Sequence, residues 1–358
     1  MSVFLNTLLT VSVLTLGSNA QAAEGLHLLR KAATRAVNVL PLESGGARGV
    51  IQLVFLSELE KKAKLPVCKI FHLVGGTSIG GVIAAGLTLP RNTSIERSKW
   101  EPRFSAAELL DEFENKLPTL FQSRFSLWGL LGPKYKSSGP QQVAEHFFGR
   151  TTFDQTLVPI MMPAFDLNTS QTVIFKSWKD KSKDLLTADI IKGTGAAPTY
   201  FEPHVMNSLP RAGFAPTSYR LVDGAVSAND PAQITVTEAE KLFGRNENHQ
   251  ILSLGTGVIN RPYPYYLYKN AGLIVWGIAL KDLFLYGQRS LTNYSMQHQY
   301  GDRYSRWSPP IRIRQHRIDS YDPEVLKHYK QATLEMIDSR RDEFDALVDR
   351  LLDNTKPL

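Results

Sequence analysis

The chain of 358 residues has a single cysteine, Cys68, so no intramolecular disulfide can form and a small disulfide-stapled scaffold is excluded. Cys68 lies just before the apolar run "IFHLV" at 70–74, a setting that assigns it to the core rather than to a reactive site. Metal-ligand patterns are missing as well. There is no H-E-x-x-H, no cysteine pair and no calcium-loop spacing, so neither a metal nor another cofactor is expected. Long basic tracts are absent although the net charge is +7, with 41 Lys and Arg against 34 Asp and Glu. Scattered cations without a nucleic-acid motif argue against nucleic acid and leave two readings open, an acidic lipid surface as partner or a solvated cationic surface with none. No internal repeat, low-complexity tract or linker divides the sequence. The longest apolar run, 3–16, is too short to cross a bilayer comfortably and ends before Ala20-Gln21-Ala22, a signal-peptidase-like site. No Lys or Arg precedes that run, yet its length and its small-residue ending predict a signal peptide over 1–22. The expectation is export to a secreted or periplasmic location, with peripheral membrane contact and no transmembrane span in residues 23–358.

What is present is an ordinary globular composition, 43% hydrophobic and 21% charged. Strand-like and helix-like stretches alternate. A strand at 37–42 precedes the amphipathic "GVIQLVFLSELEKKAK", whose lysines suit a helix C-terminus. A strand at 70–74 precedes the helix after Ser78, and further strands fall at 158–167, 172–178, 219–222 and 251–257. Helices are expected at 186–192 and 231–243. This alternation predicts an α/β fold, one domain with a mainly parallel central sheet covered by helices on both faces. Residues 322–353 read as a helical tail, with Asp322 as N-cap and Pro323 in the first turn.

Three glycine-bearing turns each follow a strand. The first is "ESGGARG" at 43–49. It lacks the Lys-Ser/Thr of a P-loop and the G-x-G-x-x-G of a dinucleotide site, which leaves backbone donors set for an oxyanion. The second, Gly76-Thr77-Ser78-Ile79-Gly80, fits G-x-S-x-G, a sharp strand-to-helix turn that exposes a serine hydroxyl. The third, Asp223-Gly224-Ala225, supplies a carboxylate. Ends of parallel strands gather at one sheet edge, which would bring Ser78 and Asp223 together across 145 positions (223 − 78).

With these motifs in this order, the chain resembles the patatin-like phospholipases, serine lipid acyl hydrolases with the pattern D-G-G-G-x-R-G, G-x-S-x-G, then D-G-G or D-G-A. The likeness extends to "PKYKSSGPQQVAEHFFG" (133–149), "MPAFDLNT" (162–169), "GTGAAPTYFEPH" (193–204) and "ILSLGTG" (251–257), and covers roughly 37–260, the remainder 261–358 being read as helical. It implies Ser78 as nucleophile, Asp223 as proton acceptor, Gly45, Gly46 and the Arg48 backbone as oxyanion hole, and Gly76, Gly80 and Gly224 as turn glycines. The substrate it implies is a phospholipid or related glycerolipid at a membrane surface; it says nothing of a protein activator. Two positions depart from the pattern: Glu43 replaces Asp and Ser44 replaces the first Gly, with some strain expected if Ser44 needs a positive φ.

Two other readings stay open. One is an α/β-hydrolase esterase whose base is a histidine, although His204, His249, His298, His316 and His328 sit in no recognisable motif. The other is an inactive lipid- or partner-binding member of the fold. The stretches at 121–131 and 261–277 mix aromatic, basic and apolar residues in a way that suits a lipid interface or an acyl pocket.

Overall fold

In the strand β1 (Asn38–Leu42) every residue is buried, as a strand covered on both faces requires. β1 pairs in parallel with β2 (Leu73–Gly76) on one side and β7 (Gln250–Leu254) on the other. β3 (Ile160–Asp166) extends the parallel run beyond β2, and β8 (Tyr304–Trp307) extends it beyond β7. Two strands run the other way, β4 (Gln171–Lys176) and β6 (Ser218–Asp223), which flank β3, and β5 (His204–Asn207) pairs antiparallel with β6 and so runs in the direction of β3. The sheet order is β5-β6-β3-β2-β1-β7-β8, with β4 attached to β3. The computed structural model describes residues 36–124, 132–211, 215–245, 249–259, 262–312 and 317–355. The expected signal peptide at 1–22, His316 and most of the 121–131 stretch lie outside them.

Strand alternation divides the core. Leu40, Leu42 and Val74 face a large cluster with α1 (Gly49–Ala63), which also takes in Ile83, Leu109, Phe147 and Ile190. Val39 and Leu73 face the opposite layer, where α8 (Ala232–Phe243) contributes Ala232, Val236 and Ala239. On the first face, α3 (Ile79–Thr88), α4 (Ala106–Leu120), α5 (Ser138–Phe148) and α6 (Thr187–Thr194) follow in chain order. A short turn α7 (Ala225–Ala228) leads into α8, and α9 (Tyr265–Tyr268) and the long α10 (Leu273–Tyr300) follow β7. α11 (Pro323–Ser339) and α12 (Arg341–Asp353) pack back on α1. Asp322 caps α11 by accepting from the Glu324 N–H at 2.9 Å, with Pro323 at the first position, as the sequence suggests.

The structure corrects the sequence reading at three points. Residues 70–74 are not one strand: Val67–Ile70 forms a helical turn, α2, and β2 starts at Leu73. Cys68 is buried in that turn, and burial pushes its thiol up to about 11, which leaves it an unreactive core residue. The remainder from 261 is not wholly helical, because β8 joins the same sheet and the tail breaks at Arg340 into two helices. β8 escapes periodicity because it is four residues long and its Arg306 is drawn inward by buried carboxylates.

Asn38 fastens this C-terminal part to the first strand. Its buried amide donates to Ile70 O at 2.8 Å and Leu351 O at 2.7 Å, and its oxygen accepts from Asn354 Nδ2 at 3.0 Å. Asn38→Ala leaves two buried carbonyls unpaired, so urea unfolding should show a loss of about 2–4 kcal/mol with an unchanged m-value. A change under about 0.5 kcal/mol would show that the tail is held elsewhere.

Candidate active site

β4 occupies one edge of β3 from Met161 to Asp166. β2, paired at Ile160 and Met161, and β6, paired at Ala164 to Asp166, therefore share the other edge end to end. β2 runs with β3 and β6 against it, so their C-terminal ends face each other across Pro163. A proline fits that gap because no strand there asks for its N–H. Asp223 thus meets Ser78 from the opposite direction to the one a purely parallel sheet would give. The Ser78 side chain lies beside the Asp223 carboxylate, near enough for its hydroxyl to favour the ionised form.

Ser78 has φ 56° and ψ −119°, a strained conformation for a residue with a side chain. The turn is closed by close packing: a Cβ on Gly76 would sit 2.2 Å from Gly80 O, and one on Gly80 would sit 2.2 Å from Leu42 O. Thr194 locks it from the other side. Its hydroxyl bridges to Pro163 O at 2.5 Å and accepts the Ser78 N–H at 3.1 Å. The same segment receives the aspartate turn, since Asp223 N–H donates to Ala196 O at 3.0 Å and Gly224 N–H to Thr194 O at 3.2 Å.

Asp223 is buried, and that burial pushes its carboxyl up to about 6 against the opposing Ala225 N–H hydrogen bond and the Ser78 hydroxyl beside it. The result is a carboxylate that is ionised at neutral pH yet a far better proton acceptor than a solvated aspartate.

Gly45 and Gly46 line the same cavity as Ser78 and Asp223, and neither N–H has an acceptor among the described residues. Gly46 has φ +58°, and a Cβ there would lie 2.2 Å from Ile318 O. The Ile79 N–H, at the start of α3, is also without an acceptor and sits next to the serine. Arg48 differs from expectation: its N–H already donates to Gly45 O at 3.2 Å, so its backbone is spent inside the turn. Ile79, which the sequence reading passed over, keeps its N–H without an acceptor among the described residues.

Beneath the glycine turn lies a buried charge cluster. Glu43 pairs with Arg289 Nε at 2.5 Å and Arg306 Nη2 at 2.6 Å, and Arg306 also holds Asp230 at 2.6 Å. Burial alone would raise Glu43, but the two arginines outweigh it and hold the carboxyl below its usual range. Asn229 donates to Glu43 Oε1 at 3.1 Å, accepts the Ser44 hydroxyl on its side chain, and accepts the Ser44 N–H at 3.0 Å. Ser44 is not at positive φ, so the expected strain is absent.

The cavity measures about 920 Å³. Beyond the polar end its walls are apolar, with Phe113, Phe121, Val143, Phe148 and Ile191 among them. That size and lining suit a long apolar ligand held by a few polar groups. His204 is the one histidine among the described residues on its wall, and its Nε2 lies 3.2 Å from Asp189 Oδ1. His249 is committed to the backbone, accepting from Val37 N–H at 3.1 Å and contacting Gly244 O at 2.7 Å. His298 stacks on Tyr294 and His328 lies beside Tyr329, both outside the cavity lining. Among the described residues no group of three His, Cys, Asp or Glu could hold a metal ion.

The family model for patatin-like phospholipases matches residues 40–236. The chain belongs to the patatin-like phospholipase family. Patatin-like protein 1 from Arabidopsis thaliana is 31% identical over 72% of this chain and 69% of its own length. Patatin-like protein 2 from the same plant is 34% identical over 62% of this chain and 60% of its own length, and Patatin-T5 from Solanum tuberosum is 32% identical over 62% and 60%. The chain thus spans about three fifths to two thirds of these relatives. Among solved structures, VipD from Legionella pneumophila is a distant likeness, with a TM-score of 0.37 at 11% identity over 85% of this chain and 67% of that one. Arg289 and Arg306, which neutralise the Glu43 and Asp230 carboxylates, lie outside the segment matched by the patatin-like model.

The Asp223 shift has a consequence for stability. The folded carboxyl binds its proton more tightly than the unfolded one, so stability falls as pH rises from about 4 to about 6. Above that range the full cost, about 3 kcal/mol at most, is carried. Asp223→Asn should therefore raise Tm at about pH 8 and leave it unchanged near pH 4. A variant less stable than the parent at both would contradict the burial argument.

Proposed function

We propose that the protein is a lipid acyl hydrolase that releases fatty acids from phospholipids or related glycerolipids through a Ser78–Asp223 dyad. The observation that carries this reading is the hydroxyl of Ser78, held in a strained turn, beside a buried carboxylate raised to about 6. Asp223 takes the Ser78 proton as Oγ attacks the ester carbonyl, and the resulting oxyanion is met by the Gly45 and Gly46 N–H groups, with Ile79 beside them. The N-terminus of α3 adds favourable partial charge at that point. Collapse expels the alcohol, which leaves with the proton from Asp223, and an acyl-serine remains. Water then gives its proton to Asp223 and attacks the acyl carbon. The fatty acid departs as Ser78 recovers the proton. The apolar walls of the cavity support a long acyl chain as the group transferred.

A second reading deserves a test because His204 shares the cavity wall and pairs with Asp189. It would make His204 the base. The two readings separate in an assay of free fatty acid released from phospholipid by purified protein. The dyad predicts that Ser78→Ala abolishes release, that Asp223→Asn lowers it by about 10²–10⁴-fold, and that His204→Ala keeps most of it. A folded His204→Ala protein as inactive as Ser78→Ala would replace the dyad with a triad. No fatty acid from any phospholipid or galactolipid would remove the lipid assignment.

A further inference from the structure

α10 is amphipathic in the wrong sense for a soluble protein. Arg289 points inward to Glu43 with its side chain only 12% exposed, while Phe284 and Leu291 on the same helix are 64% and 67% exposed. The exposed apolar surface thickens toward its start. Nine of the nineteen large hydrophobic side chains exposed among the described residues fall between Tyr265 and Phe284, with Tyr265, Leu273 and Ile274 each about four-fifths exposed. A patch of this density on one surface marks a binding face rather than scattered exposure.

Between Tyr265 and Phe284 the charged residues are Lys269, Lys281 and one acid, Asp282, which lies on the cavity wall. From residue 248 to 281 the chain contains no Asp or Glu, while Lys269 and Lys281 stand at either end of the apolar turn. Its aromatic residues carry polar tips: Tyr268 packs on Tyr263 and on Trp276, with ring centres 5.7 and 5.2 Å apart. Apolar side chains, Tyr and Trp with polar tips, and flanking lysines are the chemistry of a helix lying in the headgroup region of a bilayer. No helix among the described residues is long and apolar enough to cross one.

The face is also continuous with the cavity. Lys281, Phe284 and Leu285 line the Ser78 cavity, and Lys281 Nζ lies 5.3 Å from the centre of the Tyr200 ring on the same wall. Leu273 stands about 16 Å further along the helix axis, at 1.5 Å per residue. We propose that α9 and the first three turns of α10 dock flat on an anionic lipid bilayer and set the cavity mouth against the lipid. The proposal rests on the hydrolase reading for its purpose, but not for its test. Lipid leaving the bilayer would pass over Phe284 into the apolar cavity without its acyl chain crossing water.

The test uses the full chain carrying Ser78→Ala, so that no lipid is consumed, sedimented with phosphatidylcholine vesicles with or without phosphatidylglycerol. Binding should be stronger to the anionic vesicles. Leu273→Ser with Ile274→Ser, both outside the cavity lining, should weaken binding by about tenfold or more, and Lys269→Glu should remove the anionic preference. In the active chain the double variant should hydrolyse a dissolved short-chain ester normally while losing activity on vesicles. Vesicle binding with no hydrolysis of either substrate would sink the hydrolase reading and leave the docking face standing. No binding to either vesicle, or binding unchanged in the double variant, overturns the proposal. So does a dimer that the double variant converts to monomer with vesicle binding intact, because the face then meets a second copy of the chain.

Discussion

A strand has two edges, and β3 has three partners. Because β4 takes one edge whole, β2 and β6 must divide the other, and they do so with their C-terminal ends facing each other across Pro163. Ser78 follows one of those ends and Asp223 terminates the other. Two residues 145 positions apart (223 − 78) are brought side by side on one cavity by sheet pairing, with no loop left to search for the arrangement. Thr194 then ties the serine turn to Pro163 and receives Gly224, so the two halves of the site are fixed to one point of one strand.

The arrangement is held against local cost. Ser78 keeps a strained backbone, Asp223 is ionised in a buried place, and two carboxylates and two arginines lie beneath the oxyanion turn. Buried ion pairs of this kind add little net stability compared with apolar packing, but loss of one member leaves an unpaired charge and costs several kcal/mol. Their effect here is to fix geometry. Glu43 and Ser44 are anchored from below, and the Gly45 and Gly46 N–H groups have no acceptor among the described residues. The glutamate at position 43, one methylene longer than the aspartate of the patatin-like pattern, is met by arginines from α10 and β8. The C-terminal third of the chain is therefore part of the site's support.

Much of this was legible in the sequence, and the parts that were not share a cause. Alternating apolar runs disclosed most strands and the covering helices, and the glycine turns pointed to Ser78, Asp223, Gly45 and Gly46, which the fold gathers on one cavity. Strand direction was hidden, since an antiparallel strand such as β6 has the same local pattern as a parallel one. Lys64 and Ser170 at positive φ left no local signal either. Contacts between distant charges were equally invisible: nothing near Arg306 announces Glu43, 263 positions away. Ile79 could have been found, as the residue following a serine at a helix start always presents an N–H there. Thr194 could not, although it lies in the "GTGAAPTYFEPH" stretch, because its role depends on Pro163.

The account stands on Asp223 acting directly on Ser78. The most direct measurement is the rate at which a fluorophosphonate probe modifies the protein as a function of pH, with the adduct located by peptide mass. The account predicts an adduct on Ser78 whose rate of formation rises with pH through a single ionisation near 6, the value to which burial raises Asp223, and is lost as that carboxylate is protonated below it. It also predicts that Asp223→Asn lowers the rate and erases that step. A step that survives in Asp223→Asn, or an adduct on any other residue, would contradict it.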